Sequence, residues 1–262
     1  MSQLPALQEG TPDFLATLVL KYPKLLLMTD YDGTLVPIRE RPEFALPSRG
    51  LLKALRRLVR NPKVKLAVLS GRDTDDLKKL IPVDGVYLAG CHGAEIVSTG
   101  GDILKIFEEK EIAPVLETIA GLALSCVADQ DGFLVEKKRT AVALHYRLAN
   151  LATALQVIGN YITAVWPLTV KNDLEFLAGK KVIEVRPRTV NKGKAVEYLM
   201  NLNPEFYPVY IGDDTTDEDA FRAVREKGLG VLVSASKKTT AASYQFRDSR
   251  DVLRFLQIIA SR

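Results

Sequence analysis

The chain has 262 residues, of which 47% are hydrophobic and 26% charged, the balance of a globular protein rather than a disordered one. A net charge of +4 mildly favours an anionic small molecule and falls short of the signature of a nucleic-acid binder. Cys91 and Cys126 have no neighbours at metal-ligand spacing, and only His92 and His145 are present, so a histidine-rich metal site is excluded. The apolar runs are too short to span a bilayer and no secretory leader is read at the start, so a reduced, cytoplasmic setting without a membrane partner is expected.

Segment 24–30 predicts a fully buried strand, as do 64–69 and 208–212, each a short apolar run ending in polar residues or glycine. Helical periodicity follows each of them, over 48–60, 73–81 and 215–227. A further strand is expected over 228–235 and a closing amphipathic helix over 249–261. The basic residues Lys53, Arg56, Arg57 and Arg60 lie opposite a leucine face and predict a solvated helix surface. Such alternation indicates a parallel sheet covered on both faces, with its ligand beyond the carboxyl ends of the strands. Those ends carry Asp30, Ser70 and Asp213.

The middle of the chain groups its elements differently. Helices are expected over 112–124 and 150–165, and strands over 132–137, 139–147, 167–171 and 181–186. This pattern predicts a separate α+β unit at 108–186, inserted into an α/β core of 1–107 and 187–262.

The chemistry begins at Asp30-Tyr31-Asp32-Gly33-Thr34. Two carboxylates two residues apart on a strand can face the same side, and Gly33 permits a sharp turn after them. They coexist only if a cation lies between them or one keeps its proton. Both solutions suit phosphate chemistry: a hard cation such as Mg²⁺ takes oxygen ligands and leaves room for a phosphate. Asp30 then reads as a nucleophile and Asp32 as the acid/base. Ser70, with Gly71 and Arg72 behind it, can bind a phosphoryl oxygen or simply cap the next helix. The run Gly212 to Asp219 carries five acidic residues, and Asp213 and Asp214 at the strand end suit metal ligation. In Asn191-Lys192-Gly193-Lys194, a lysine at a helix start can offset charge on a phosphoryl group in transfer.

These four elements, in this order, resemble the haloacid dehalogenase superfamily, and within it the trehalose-6-phosphate phosphatases. The resemblance rests on DYDGTLVPI at 30–38, LSGR at 69–72, GCHGAE at 90–95, VEKK with ALHYR within 135–147, VIEVRPRTVNKGKA at 182–195 and GDDTTDEDAF at 212–221. It implies a Rossmann-like parallel-sheet core with an inserted α+β cap that closes over the sugar. It implies an Mg²⁺-dependent hydrolysis of trehalose 6-phosphate through an aspartyl phosphate, with Asp30 as nucleophile, Asp32 as acid/base, and Ser70 and Lys192 assisting. By the same resemblance Lys192, not Lys194, is the functional lysine. Asp30, Asp213, Asp214 and the backbone carbonyl of Asp32 serve the metal. Gly71, Arg72, His92, Glu95 and Glu218, with Glu136, Lys138, Arg147 and Glu184 of the cap, are implied in substrate binding. Other sugar phosphates, such as sucrose phosphate, glucosylglycerol phosphate or mannosyl phosphoglycerate, remain alternatives. So do a receiver-like signalling domain and a sugar-phosphate sensor without turnover. Some relatives carry a synthase domain on the same chain; none fits within 262 residues, so the protein is expected to act alone or beside a separate trehalose-6-phosphate synthase.

Overall fold

The structure, a computed structural model, describes residues 7–105, 109–179 and 181–262. The chain divides into two compact units, Met1–Ile106 with Asn191–Arg262, and Phe107–Val190.

In chain order the elements of the first unit begin with β1 (Gln8–Glu9), α1 (Pro12–Val19), β2 (Leu25–Asp30), α2 (Arg49–Arg60), β3 (Val64–Leu69), α3 (Thr74–Leu80), β4 (Val86–Gly90), β5 (Glu95–Val97) and β6 (Ile103–Lys105). The second unit holds α4 (Glu109–Val127), β7 (Leu134–Lys137), β8 (Val142–His145), α5 (Leu151–Lys171), β9 (Leu174–Gly179) and β10 (Val182–Pro187). The chain then returns to the first unit with α6 (Lys192–Leu202), β11 (Tyr207–Gly212), α7 (Glu218–Val224), β12 (Leu229–Val233), β13 (Tyr244–Phe246) and α8 (Ser249–Ile259).

The first unit is built on a sheet of order β1-β13-β12-β11-β2-β3-β4-β5-β6, parallel from β1 to β4 and antiparallel only at β5 and β6. All six residues of β2 are buried, because both faces of the sheet are covered. Leu25 and Leu27 join one core with Leu51, Leu55 and Leu58 of α2 and Phe255 of α8. Leu26 and Met28 join the other with Val196 and Leu199 of α6 and Phe221 of α7. Ser48 caps α2 by accepting from the Leu51 amide at 3.1 Å, and Lys53, Arg56, Arg57 and Arg60 of that helix are exposed as expected.

The second unit is an antiparallel sheet, β7-β8-β10-β9, with α4 and α5 packed on one face. Here one expectation fails: 167–171 is the last turn of α5, not a strand. Pro167 suggests a break, but Tyr161, Val165 and Thr169 continue a buried stripe at four-residue spacing, and packing holds the helix across the proline. The strand comes after it, as β9. By length and composition α5 is also long and apolar enough to cross a membrane; its stripe Ala154, Val157, Tyr161, Val165 and Thr169 instead packs into the core of this unit.

Candidate active site

Strand order creates the site. From β2 the chain runs outward to β3 and β4 on one side, then returns to place β11 and β12 on the other. The order reverses between β2 and β11, and in an open parallel sheet a crevice opens beyond the carboxyl ends at such a point. Asp30 ends β2 and Asp213 follows β11 directly, 5% and 4% exposed. The chain must turn tightly between them. Gly33 has φ +94°, and any Cβ there would overlap the Asp213 carboxylate. The glycine after the two aspartates is thus required both by its backbone angle and by how closely the turn passes Asp213.

Lys192 brings the positive charge. It is the first residue of α6, behind the cap Asn191, whose side chain accepts from the Lys194 amide at 2.9 Å. A cation at a helix N-terminus opposes the helix dipole, so local preference does not explain its place. The residue is 2% exposed, and its ammonium donates to Asp30 Oδ1 at 2.5 Å and to Asp217 Oδ1 at 2.7 Å. Burial alone would draw the lysine down, but Asp217 and Asp30 more than offset it and hold its proton tighter than usual.

Asp217, fully buried, is the residue that sequence reasoning passed over. Its Oδ1 also accepts from the Tyr210 hydroxyl at 2.6 Å, and its Oδ2 accepts from the Asp213 and Asp214 amides at 2.8 and 2.9 Å. These contacts use the whole acceptor capacity of a carboxylate. They hold its pKa below the usual range although burial acts the other way. The available signal was Gly212, where a Cβ would overlap the Asp217 side chain.

Asp30, Asp213 and Asp217 each offer an oxygen within 4.8 Å of the others. Two of these buried carboxylates, Asp30 and Asp217, bind the Lys192 ammonium, and Asp213 adds a third beside them. Burial accordingly pushes the Asp30 carboxyl well above the usual range, Lys192 opposing and Asp217 and Asp213 adding to the effect. An all-oxygen donor set with excess buried negative charge fits a hard divalent cation. Asp217 is already committed to four donors, so Asp30 and Asp213 are the carboxylates suited to ligate it. Asp214 turns its carboxylate to the Thr215 amide at 2.9 Å, as a cap.

The remaining residues named from sequence lie around this centre or in other roles. Ser70 follows β3; its hydroxyl accepts from the Arg72 amide at 3.2 Å and its carbonyl from the His92 amide at 2.9 Å, while the cap position of α3 is Asp73. Cys91 and His92 both adopt positive φ, 50° and 56°, in a turn whose imidazole lies so close to Gly71 that a Cβ there would come within 2.6 Å. Glu95 accepts from the Thr74 hydroxyl at 2.5 Å. Glu218 binds the Thr240 hydroxyl and the Ala241 amide at 2.6 and 2.8 Å, fixing one segment of backbone. Asp32 pairs with Arg72: Nε donates to Oδ2 at 2.6 Å and Nη2 to Oδ1 at 2.8 Å.

In the second unit, pairing places Glu136, Ala143, Glu184 and Leu177 in one row across the sheet, on the face opposite Val142, Leu144 and Val185 of the core. Lys138 Nζ donates to Glu184 at 2.7 Å, and His145 Nε2 lies 2.9 Å from Glu136. Arg147 lies exposed in the turn after β8. One sheet face thus carries Glu136, Lys138, His145 and Glu184.

Comparison with known proteins agrees with this architecture. The trehalose-phosphatase family matches residues 28–251. An uncharacterized glycosyl hydrolase of Mycobacterium tuberculosis is 38% identical over 248 residues, which cover 88% of this chain but only 18% of that protein. A trehalose-phosphate phosphatase of Mycobacterium marinum is 34% identical over 273 residues, covering 100% of this chain and 67% of the relative. Among solved structures, the C-terminal domain of C. albicans trehalose-6-phosphate phosphatase superposes with a TM-score of 0.86 at 26% identity, over 99% of both chains. A likeness of fold, at 15% identity and a TM-score of 0.63, extends to a haloacid dehalogenase-like hydrolase from Bacteroides thetaiotaomicron over 90% of this chain and 99% of that one. With a haloacid dehalogenase-like fold and a family match over most of its length, the chain belongs to the trehalose-phosphatase family of hydrolases.

Proposed function

We propose that this chain is an Mg²⁺-dependent phosphatase that converts trehalose 6-phosphate to trehalose and phosphate, with Asp30 as nucleophile. The observation that carries the reading is the buried Asp30 carboxylate at the end of β2, 2.5 Å from the Lys192 ammonium and clustered with Asp213. The cation, held by Asp30 and Asp213, would offset the charge of a phosphate dianion beside a carboxylate.

An Asp30 oxygen attacks phosphorus as the bond to the sugar oxygen breaks, and Asp32 protonates the departing oxygen. Water then attacks the aspartyl phosphate, Asp32 takes its proton, and the bonding pair returns to Asp30. Lys192 offsets charge on the transferring group in both steps, and Asp217 fixes that lysine. Ser70 orients a phosphoryl oxygen. Glu136, Lys138, Arg147 and Glu184 recognise sugar hydroxyls, in keeping with the polar sheet face that three of them share.

Phosphate release from trehalose 6-phosphate, with and without Mg²⁺, tests the assignment. Activity should appear only with the metal and vanish in Asp30→Asn with the melting transition retained. Full activity in that variant removes Asp30 as nucleophile. A panel of sucrose, glucosylglycerol and mannosylglycerate phosphates tests the sugar. Faster turnover of one of these replaces trehalose 6-phosphate while leaving the chemistry in place.

A further inference from the structure

Arg72 binds two parts of the first unit at once. Its side chain is 11% exposed. Beside the two bonds to Asp32, its Nη2 donates to the Pro42 carbonyl at 2.7 Å. Its guanidinium carbon stands 5.4 Å from the centre of the Tyr31 ring, and the Tyr31 hydroxyl donates to the Ala45 carbonyl at 2.8 Å. One planar cation thus fixes both oxygens of Asp32 and ties them to the loop 37–48, which carries Phe44 and Leu46 on the surface at 60% and 66% exposure. A guanidinium engaged edge-on with a carboxylate sets that carboxylate's plane and direction; a lysine at the same point could not.

We propose that Arg72 is a positioning residue for Asp32, holding its carboxylate in line for proton transfer through a clamp that includes the Pro42 carbonyl, rather than a contact for substrate. This rests on the reading of Asp32 as acid/base. In the second step the water oxygen bonds to phosphorus, the bond from phosphorus to Asp30 breaks, and the water proton passes to Asp32. A displaced Asp32 slows that step for every substrate. It slows the first step only where the leaving oxygen needs a proton. A sugar alkoxide needs one; p-nitrophenolate leaves without it.

The test uses the Mg²⁺-loaded full chain and the variants Arg72→Gln and Arg72→Lys, each checked by thermal melting. With p-nitrophenyl phosphate, both variants should release a rapid burst of about one equivalent of p-nitrophenolate. A steady state about 10–100-fold below wild type should follow, the scale of a misplaced catalytic group. With trehalose 6-phosphate kcat should fall at least as far, with no burst and no rise in KM. A raised KM without a burst on both substrates makes Arg72 a substrate contact and overturns the proposal, as do wild-type kinetics. Arg72→Lys keeps the charge and loses the edge-on geometry, so full activity in it also counts against the clamp. Hydrogen exchange supplies a readout that needs no turnover: amides of 38–46 should exchange at least about tenfold faster in Arg72→Gln, with β2 and β3 unchanged. Unaltered exchange there removes the tether. If wild type hydrolyses no phosphate monoester, the proposed function fails, while the exchange measurement still decides the clamp.

Discussion

The two sheets of this chain carry their polar groups in opposite ways. In the parallel sheet both faces are apolar, and the ionisable groups gather where strands end: Asp30 after Leu25–Thr29, Asp213 after Tyr207–Gly212. In the antiparallel sheet one face packs on α4 and α5, and ionisable groups lie along the other: Glu136 and Lys138 by β7, His145 on β8 and Glu184 on β10. The strand-end groups Asp30 and Asp213 are 5% and 4% exposed, in low-dielectric core; the sheet-face groups are mixed, Glu184 being as buried at 5% while Glu136 and His145 stay open to water. Desolvation makes the strand-end charges costly and rigid, while the exposed Glu136–His145 pair on the sheet face is cheap and adjustable. In the proposed function the strand ends carry the chemistry and the sheet face the recognition of sugar hydroxyls.

Asp217 gives the sharpest test of this contrast. In Asp217→Asn an amide must face either Lys192 and Tyr210 or the two backbone amides, so donors meet donors on one side. Breaking a buried ion pair costs about 3–5 kcal/mol. For a chain of this size that should lower the melting temperature by roughly 10 °C, and phosphatase activity should be lost with it. Asp214→Asn, three residues away, should stay within about 0.5 kcal/mol of wild type, because its carboxylate serves as a helix cap that asparagine supplies equally well. Equal effects of the two substitutions would mean that the buried four-donor network around Asp217 does not set the rigidity.

The same contrast explains how much was legible in the sequence. Strand ends deliver chemistry in contiguous motifs, because the turn that follows is short and stereotyped. Asp30, Asp32 and Gly33 sit together, as do Gly212 and Asp213, and the core strands stand out as unbroken apolar runs. Asp217 was hidden for a physical reason: among five acidic residues, sequence cannot say which carboxylate points inward to four donors. The partner of Arg72 was hidden because Asp32 lies forty residues away along the chain. In the second unit, period-two alternation marked β7, β8 and β10, while the helix expected over 150–165 runs on through Pro167 because buried Val165 and Thr169 hold it. The strands β5, β6 and β13 run to only three residues each, too few for a period to show.

A middle-sized effect should separate recognition from chemistry. Lys138 donates to Glu184 on the sheet face, and a hydrogen bond to a charged group contributes about 1.5–3 kcal/mol. Lys138→Met should therefore raise KM for trehalose 6-phosphate by roughly 10–100-fold while kcat on p-nitrophenyl phosphate, which has no sugar, stays near wild type. A matching loss of kcat on both substrates would break the proposed division of labour between the two sheets.

The smallest effect concerns Glu136 and His145, 33–45% exposed at their side chains. The hydrogen bond with His145 holds the Glu136 carboxyl below its usual pKa of 4.5, with burial opposing and Lys138 assisting. A folded-state pKa below the unfolded value contributes stability above about pH 4.5, and that contribution fades as pH falls through the folded value. Solvent screens so exposed a pair, so its share should not exceed about 1 kcal/mol. Denaturant titrations of wild type and His145→Asn should differ by that much at most near pH 6 and converge at pH values below the folded pKa of Glu136. A gap of several kcal/mol that persists into acid would show a sheet-face pair locked as tightly as Lys192 and Asp217, and the distinction between strand-end and sheet-face charges would no longer hold.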